Sequence, residues 1–504
     1  MQPDGGEALT RSRAVPARAV PRRALAWAVL LALPLVVSLA PRSLMAHDEG
    51  FYALQARWII ESGDWLTPPN WGQPFYDRTI GVQWLIAAAI RLFGLNPVAV
   101  HLPSWLAAAA SAALAWRLSR QWLVPAVLVL TPLWFSYAHL ATQDMPLLAL
   151  ELLGLWGLWT RRPWAAAVWL GPAFLIKGFM VALPLVAMLP LLLLERRALL
   201  LQPGFWAALA LGWLPAVLWL GLSVAEHGLA TVSLLWEKLL WLSGTTVFAQ
   251  GPLYYLWNLP ANTAPWGLLA PAGAVLLLQR WRRGELTREA LLLWLGYPLL
   301  LLLLLSCFKT KTPYYGLQLT PFVAHAAAQA LDGLSQLRGG PWRWWRLPPL
   351  LLGAALLVAG VAAPLPATGG LPAVWLRAAA LLLGACWLAS GWQPPGQRRL
   401  VLWLLGPYGA LVCLLQGGVF IDHSPQVRQQ LSDPVVASAL ARGPVHFLAT
   451  GAADDDAQKQ QILLALGAPQ LGALHTAPET VPPGVAVWQL QGSSWQLHKA
   501  WSTP

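Results

Sequence analysis

Long apolar runs fill the chain from Ala24 to Phe420, and they leave few ways to fold it. About 20 consecutive apolar residues cross a bilayer, and a span in lipid must satisfy its backbone groups internally, which makes each run a helix. The runs leave room for about thirteen spans. With 57% hydrophobic and only 11% charged residues, the composition also fits a membrane protein better than a soluble one. The expected fold is mainly α, a polytopic transmembrane helical array. The character of the chain changes at Ile421. The expected division is a basic cytoplasmic tail over 1–23, a membrane domain over 24–420 and a small external α/β domain over 421–504. Ala24–Ala40 is read as the first span, or alternatively as a signal peptide, since Ser43-Leu44-Met45-Ala46 offers small residues for cleavage.

The net charge of +12 raises the question of nucleic acid, but the arginines lie in short clusters between apolar runs and form no continuous basic face. They mark topology instead. Arg117/Arg120, Arg161/Arg162, Arg196/Arg197, Arg280/Arg282/Arg283, Arg338/Arg343/Arg346 and Arg398/Arg399 occupy every second hinge, which places those hinges in the cytoplasm. The intervening hinges, 46–93, 136–144, 176–177, 226–252, 308–313 and 361–371, then face outward. Trp65, Trp71, Trp122, Trp281 and Trp342 flank the spans, where interfacial belts form. The six lysines, Lys177, Lys238, Lys309, Lys311, Lys459 and Lys499, all fall on the external side, against the orienting rule, and so invite a functional explanation. Cys307, Cys386 and Cys413 lie inside apolar runs and imply no disulfide framework.

The first external loop, 46–93, gathers Asp48, Glu49, Arg57, Glu61, Asp64, Asp77, Arg78 and Arg91 in a chain poor in charge. Phe51, Leu54, Trp58 and Ile59 recur at helical spacing with Gln55, Arg57 and Glu61 opposite, which predicts an amphipathic interfacial helix ended by Gly63. Residues 80–93 predict a second helix too short to span, and 231–242 a third at the surface. In the C-terminal segment, 445–449 and 485–490 read as strands with a helix over 458–466 between them, and Asp454-Asp455-Asp456 reads as a solvated loop.

Asp48 and Glu49 follow directly on the first span, Asp144 opens another, and Asp77-Arg78 closes the loop. Charge at membrane depth is costly, and acids and bases at one level point to a shared cavity. The plainer reading is that Asp48 and Asp144 cap helices. Arg78, Lys177, Lys309 and Lys311 at the same level suit a phosphate or diphosphate, against the plainer reading of snorkelling lysines.

These residues resemble a known group. Asp48-Glu49-x-x-Tyr52-Ala53, Glu61-Ser62-Gly63-Asp64-Trp65-Leu66-Thr67-Pro68 and Pro74-Phe75-Tyr76-Asp77-Arg78 are similar to stretches of the lipid A aminoarabinose transferases. So are Asp144-Met145-Pro146-Leu147, Lys177-Gly178, Gly251-Pro252-Leu253-Tyr254-Tyr255 and Lys311-Thr312-Pro313-Tyr314-Tyr315. That family stands with the protein O-mannosyltransferases among the GT-C glycosyltransferases, and the likeness covers about the first 330 residues. It implies an inverting membrane glycosyltransferase that moves a sugar from a polyprenyl-phosphate carrier to a glycolipid, glycan or protein acceptor, on the periplasmic face of a bacterial inner membrane. It implies Asp48 as the catalytic acid/base, with Asp144 beside it. Arg78 would hold the carrier phosphate, and Lys311 with Lys177 would stabilise it as it leaves, while Lys309 joins them on the charge reading alone. Glu49, Asp77, Tyr52, Tyr254, Tyr255 and Tyr314 would support them. Some relatives bind a divalent metal through a His before the Gly-Pro-x-Tyr-Tyr stretch. Here Ala249-Gln250 stand there, and Asp77 is the candidate ligand that remains. The rival is a transporter or flippase of lipid-linked sugars, which would carry charges near mid-membrane in two repeated halves.

Overall fold

Among the described residues up to Gln416, most lie in helices, as the apolar runs require. The structure is a computed structural model and describes residues 30–244, 248–336, 346–362 and 371–502. The expected tail over 1–23, Arg338, Arg343 and most of the 361–371 hinge lie outside the described residues. The chain divides into two compact units, 1–39 and 40–504. In the first, the described part of the expected span, 30–39, is helical only as far as the short turn Leu33–Leu35, where Pro34 interrupts it.

In the second unit, one π-helical turn, Ala46–Gly50, runs straight into α1 (Phe51–Ser62), which Gly63 stops at φ +74°. The strands β1 (Pro69–Asn70) and β2 (Gln73–Pro74) form a hairpin before α2 (Gly81–Phe93). There follow α3 (Pro97–Ser119), α4 (Asp144–Trp159), α5 (Leu170–Lys177), α6 (Pro203–His227), α7 (Trp266–Arg282) and α8 (Thr320–Gln336). The surface helix expected over 231–242 is Ala230–Gly244. Helices α5 and α6 cross backbone to backbone. A Cβ on Gly171 would stand 2.0 Å from the Gly212 carbonyl oxygen, so only glycine permits the approach.

Among the described residues, six helices are long and apolar enough to cross a membrane, or seven if the bent pair Tyr254–Asn262 and Trp266–Arg282 counts as one. That is fewer than the thirteen or so spans expected, because breaks divide the apolar runs into shorter helices such as Leu347–Ala362. One stretch counted as a single span, Pro163–Glu195, goes out and comes back. The Arg162 N–H donates to the Gly157 carbonyl at 2.8 Å, and Arg196 Nε donates to the Leu158 carbonyl at 2.7 Å. Both ends therefore sit at one place, with Lys177-Gly178 at the turn, where Gly178 has φ +57°.

The C-terminal sheet has the order β4-β3-β5-β6, where β3 is Val445–Leu448, β4 Leu471–His475, β5 Ala486–Gln491 and β6 Ser494–His498. β3 is parallel to β4 and β5, and β6 closes the sheet antiparallel to β5. The two expected strands are present; β4 and β6 were not expected, although Trp495 and Leu497 alternate with polar residues in β6. Helix α9 (Asp455–Gly467) covers the sheet. The acidic run read as a loop is its start: Asp454 Oδ1 accepts from the Ala457 N–H, and Asp455 pairs with His47 at 2.7 Å.

This sheet packs on α1, which corrects the expected polar face there. Gln55 and Arg57 are buried, not solvated. Arg57 Nη1 donates to the Ala465 and Ala468 carbonyls at 2.9 and 2.7 Å, capping the end of α9, while its Nε binds Glu61 at 2.6 Å. Trp71, expected in an interfacial belt, instead bridges Trp58 and Phe447. Arg57→Met should therefore loosen the C-terminal segment by about 3 kcal/mol, since hydrogen bonds to a charged group contribute about 1.5–3 kcal/mol each. Limited proteolysis and hydrogen exchange over α9 would register it, and unchanged protection would remove Arg57 as the anchor.

A second expectation concerns pH. His446 Nδ1 lies 2.9 Å from His475 Nε2. Burial pushes both imidazoles below their ordinary range, and the neighbouring ring's charge lowers His446 further. The fold thus favours the neutral rings, while the unfolded chain takes up protons near pH 6.5. The sheet should be fully stable above that pH and lose protection as pH falls below it. Exchange rates in β3 and β4, corrected for intrinsic rate, should show this, and His446→Gln should flatten it.

Candidate active site

The described outer hinges, 46–93, 136–144, 176–177, 226–252 and 308–313, meet at one end of the helices. Asp48 sits in the π-helical turn before α1, and Arg78 at the start of the segment entering α2. Arg78 Nη1 lies 3.2 Å from Asp48 Oδ1, and its Nε lies 3.1 Å from Asp77 Oδ2. The guanidinium also lies over the Tyr52 ring, 4.9 Å from its centroid, and over Phe51 at 5.5 Å. Burial works against the Arg78 charge, but Tyr52, Asp77 and Asp48 outweigh it and raise its pKa, so it stays a cation. Asp48 is partly open, its side chain 39% exposed.

Asp144 and Lys177 form a second pair, made because α4 begins where α5 ends. The Lys177 ammonium lies 5.2 Å from the Tyr314 ring centroid and 5.3 Å from that of Tyr315. Tyr137 stacks obliquely on Tyr314, and both rings feel the charges of Asp144 and Asp48. The two pairs thus belong to one electrostatic cluster.

Glu49, one residue from Asp48, points the other way and is fully buried. It pairs with His101 of α3 and accepts from the Met45 and Ala141 N–H groups at 2.7 and 3.0 Å. Burial raises its pKa, yet His101 and the two backbone donors outweigh that and hold it below the usual carboxylate range. Its role is to fix the Asp48 turn against α3 and the segment before α4.

Other expected residues lie elsewhere. Lys311 is buried, and its ammonium donates to the Gln250 carbonyl at 3.0 Å and to that of Phe308, binding two hinges together. The Tyr255 hydroxyl donates to the Thr312 carbonyl at 3.1 Å, and Tyr254 packs on Tyr255 and Trp257. Lys309 is exposed, and its carbonyl accepts from the Gln250 N–H. Lys238 was not among the expected site residues, yet it is in the field of Asp77, Arg78 and Asp48, with burial lowering its pKa. Its placement on the external side against the orienting rule was the available signal.

The residues around Asp77 do not suit a divalent cation. Its near neighbours are Arg78 and Lys238, and among the described residues no three His, Cys, Asp or Glu side chains converge. No step is routed through a metal.

The described helices thus gather carboxylates and cations at one end, in an array with six or seven helices long and apolar enough to cross a membrane. Residues 77–220 match the family model described as dolichyl-phosphate-mannose-protein mannosyltransferase, and the resemblance seen in the sequence motifs is borne out. The chain is 29% identical, over 373 residues, to an undecaprenyl phosphate-alpha-4-amino-4-deoxy-L-arabinose arabinosyl transferase of Pseudomonas fluorescens, covering 68% of this chain and 61% of that one. It is 27% identical to such a transferase of Serratia proteamaculans, covering 69% and 66%. It thus spans less than two thirds of the length of these relatives. The crystal structure of ArnT from Cupriavidus metallidurans bound to undecaprenyl phosphate shares the fold, with a TM-score of 0.67 at 20% identity over 88% of this chain and 85% of that chain.

Proposed function

We propose that the protein is a glycosyltransferase that moves a sugar from a polyprenyl-phosphate carrier to an acceptor at the outer face of a bacterial inner membrane. The observation that carries this reading is Arg78 held between Asp48 and Asp77, within the field of a second carboxylate–lysine pair. The membrane domain runs over 24–420 and the outer α/β domain over 421–504. Shorter apolar helices such as Leu347–Ala362 supply crossings beyond the six or seven long ones.

The carrier phosphate binds Arg78, with Lys238 adding positive charge, and draws the guanidinium away from Asp48. Asp48 is then a free carboxylate beside the acceptor hydroxyl. The acceptor oxygen attacks the anomeric carbon as Asp48 takes its proton, and the carbon–oxygen bond to phosphate breaks. The phosphate leaves with the electron pair on the opposite face, so configuration inverts, and the cations stabilise the developing charge. Asp144, neutralised by Lys177, positions the sugar. The lipid tail stays in the bilayer throughout.

Incubation with a radiolabelled polyprenyl-phosphate sugar in detergent, followed by separation of glycolipid, glycan and protein, tests this. Label appearing in one fraction identifies the acceptor class. Carrier moved between leaflets without any new glycosidic product would identify a transporter instead.

A further inference from the structure

A cavity of about 1150 Å³ lies at the other end of α3 from the carboxylates, and the reaction above does not use it. Its wall includes Arg120, Gln121, Trp122, Arg280, Gln329 and Gln336. From His101, which holds Glu49, α3 runs 19 residues to Arg120. At 1.5 Å per residue that is about 28 Å, close to the thickness of the hydrocarbon core. The cavity therefore opens at the opposite face of the membrane.

Its chemistry is that of a phosphate-bearing headgroup. Arg280 Nη1 donates to Gln329 Oε1 at 3.1 Å, and Gln329 Nε2 donates to Gln121 Oε1 at 2.8 Å. Arg280 Nε also lies 3.7 Å from Glu285 Oε2, so this guanidinium is held between a carboxylate and carboxamides that can bind hydroxyls and phosphate oxygens. Arg120 supplies the other. It caps α3 in the left-handed conformation, φ +56°, which is costly for any residue with a Cβ. Among the described residues Arg120 has no acidic partner, and its guanidinium lies over Trp116 at 5.9 Å. A glycine would satisfy the backbone there, so the side chain has a use that offsets the strain. Among the described wall residues Asp332 is the one acid and accepts from Gln336 Nε2 at 3.1 Å, while Arg280 is paired with Glu285, so the guanidinium without an acidic partner is that of Arg120. Trp122, 60% exposed, and Leu123, Leu276 and Leu400 give it an apolar side. One inorganic phosphate would fill only a small part of this volume. A lipid headgroup with the start of its chains matches both the volume and the mixed lining.

We propose that this cavity is a second lipid site, which binds the phosphate headgroup of an anionic lipid in the leaflet opposite the carboxylate cluster. The site is independent of the transfer reaction, so its test stands whether or not the protein transfers sugar.

The experiment is native mass spectrometry of the full-length protein in detergent with phosphatidylglycerol, with polyprenyl phosphate, with phosphatidylcholine, and with inorganic phosphate as competitor. A photoactivatable phosphatidylglycerol would locate the contact. The expected result is retention of an anionic lipid that excess inorganic phosphate does not displace, with cross-links to 120–123 and 329–336. Arg120→Gln with Arg280→Gln should weaken retention by about tenfold to a hundredfold. Arg120→Gly separates binding from folding, because it should leave the melting temperature unchanged or raised while still weakening retention. Equal retention by all variants, phosphatidylcholine held as well as phosphatidylglycerol, or displacement by inorganic phosphate would each overturn the assignment.

Discussion

Asp48→Asn should lower sugar transfer by about 10²–10⁴-fold while the carrier lipid still binds, because the exchange removes a proton acceptor and leaves the shape of the side chain. The side chain is partly exposed, and Arg78 keeps Asp77 as a partner when Asp48 becomes neutral. Its melting temperature should therefore stay close to that of the parent. Glu49→Gln is the natural contrast. That position is sealed, pairs with His101 and accepts from two backbone donors, so its loss should appear in stability before it appears in rate. Two adjacent acids thus separate by what surrounds them. Transfer within tenfold of the parent in Asp48→Asn would mean that another group takes the acceptor proton, with Asp144 the next to test.

Lys177→Met should cost about 3–5 kcal/mol, the usual penalty for leaving a buried charge without its partner. Lys177 and Asp144 are only 10% and 11% exposed, so solvent does little to screen the loss. Removing both partners, in Lys177→Met with Asp144→Leu, should recover most of the stability, because the apolar pair leaves no uncompensated charge. Transfer should not return with it. Thermal unfolding in detergent alongside the transfer assay reads both quantities. A double variant that regained stability and activity together would reduce the pair to a fold element.

The helical membrane class was legible because hydrocarbon imposes a hard rule on backbone groups, and the apolar runs state it directly. The alternation of arginine clusters was equally readable. The hinges at Arg161 and Arg196 do meet, on Glu289, at 3.4 and 2.6 Å. The motif residues Asp48, Arg78, Asp144 and Lys177 could be named in advance because charge is rare in such a chain. Their division into two ion pairs could not. Partner choice depends on distances across helices, and neither composition nor spacing encodes those.

Elsewhere the tertiary structure alone decided. Gln55 and Arg57 have the polar pattern of a solvated face, yet Gln55 is buried against Pro69 and Gln83, and Arg57 by the docking of α9. Lys311 looks like a phosphate ligand in the sequence, yet its ammonium is satisfied by the Gln250 and Phe308 carbonyls. Lys238 stood out in the sequence only as one lysine of six on the external side, and the fold alone brings Asp77 and Arg78 into its range. The sequence by itself determined which segments must leave water and where charge is permitted. Which charge faces which was left to packing, because electrostatic energy depends on separation and burial, and both arise only when distant helices meet.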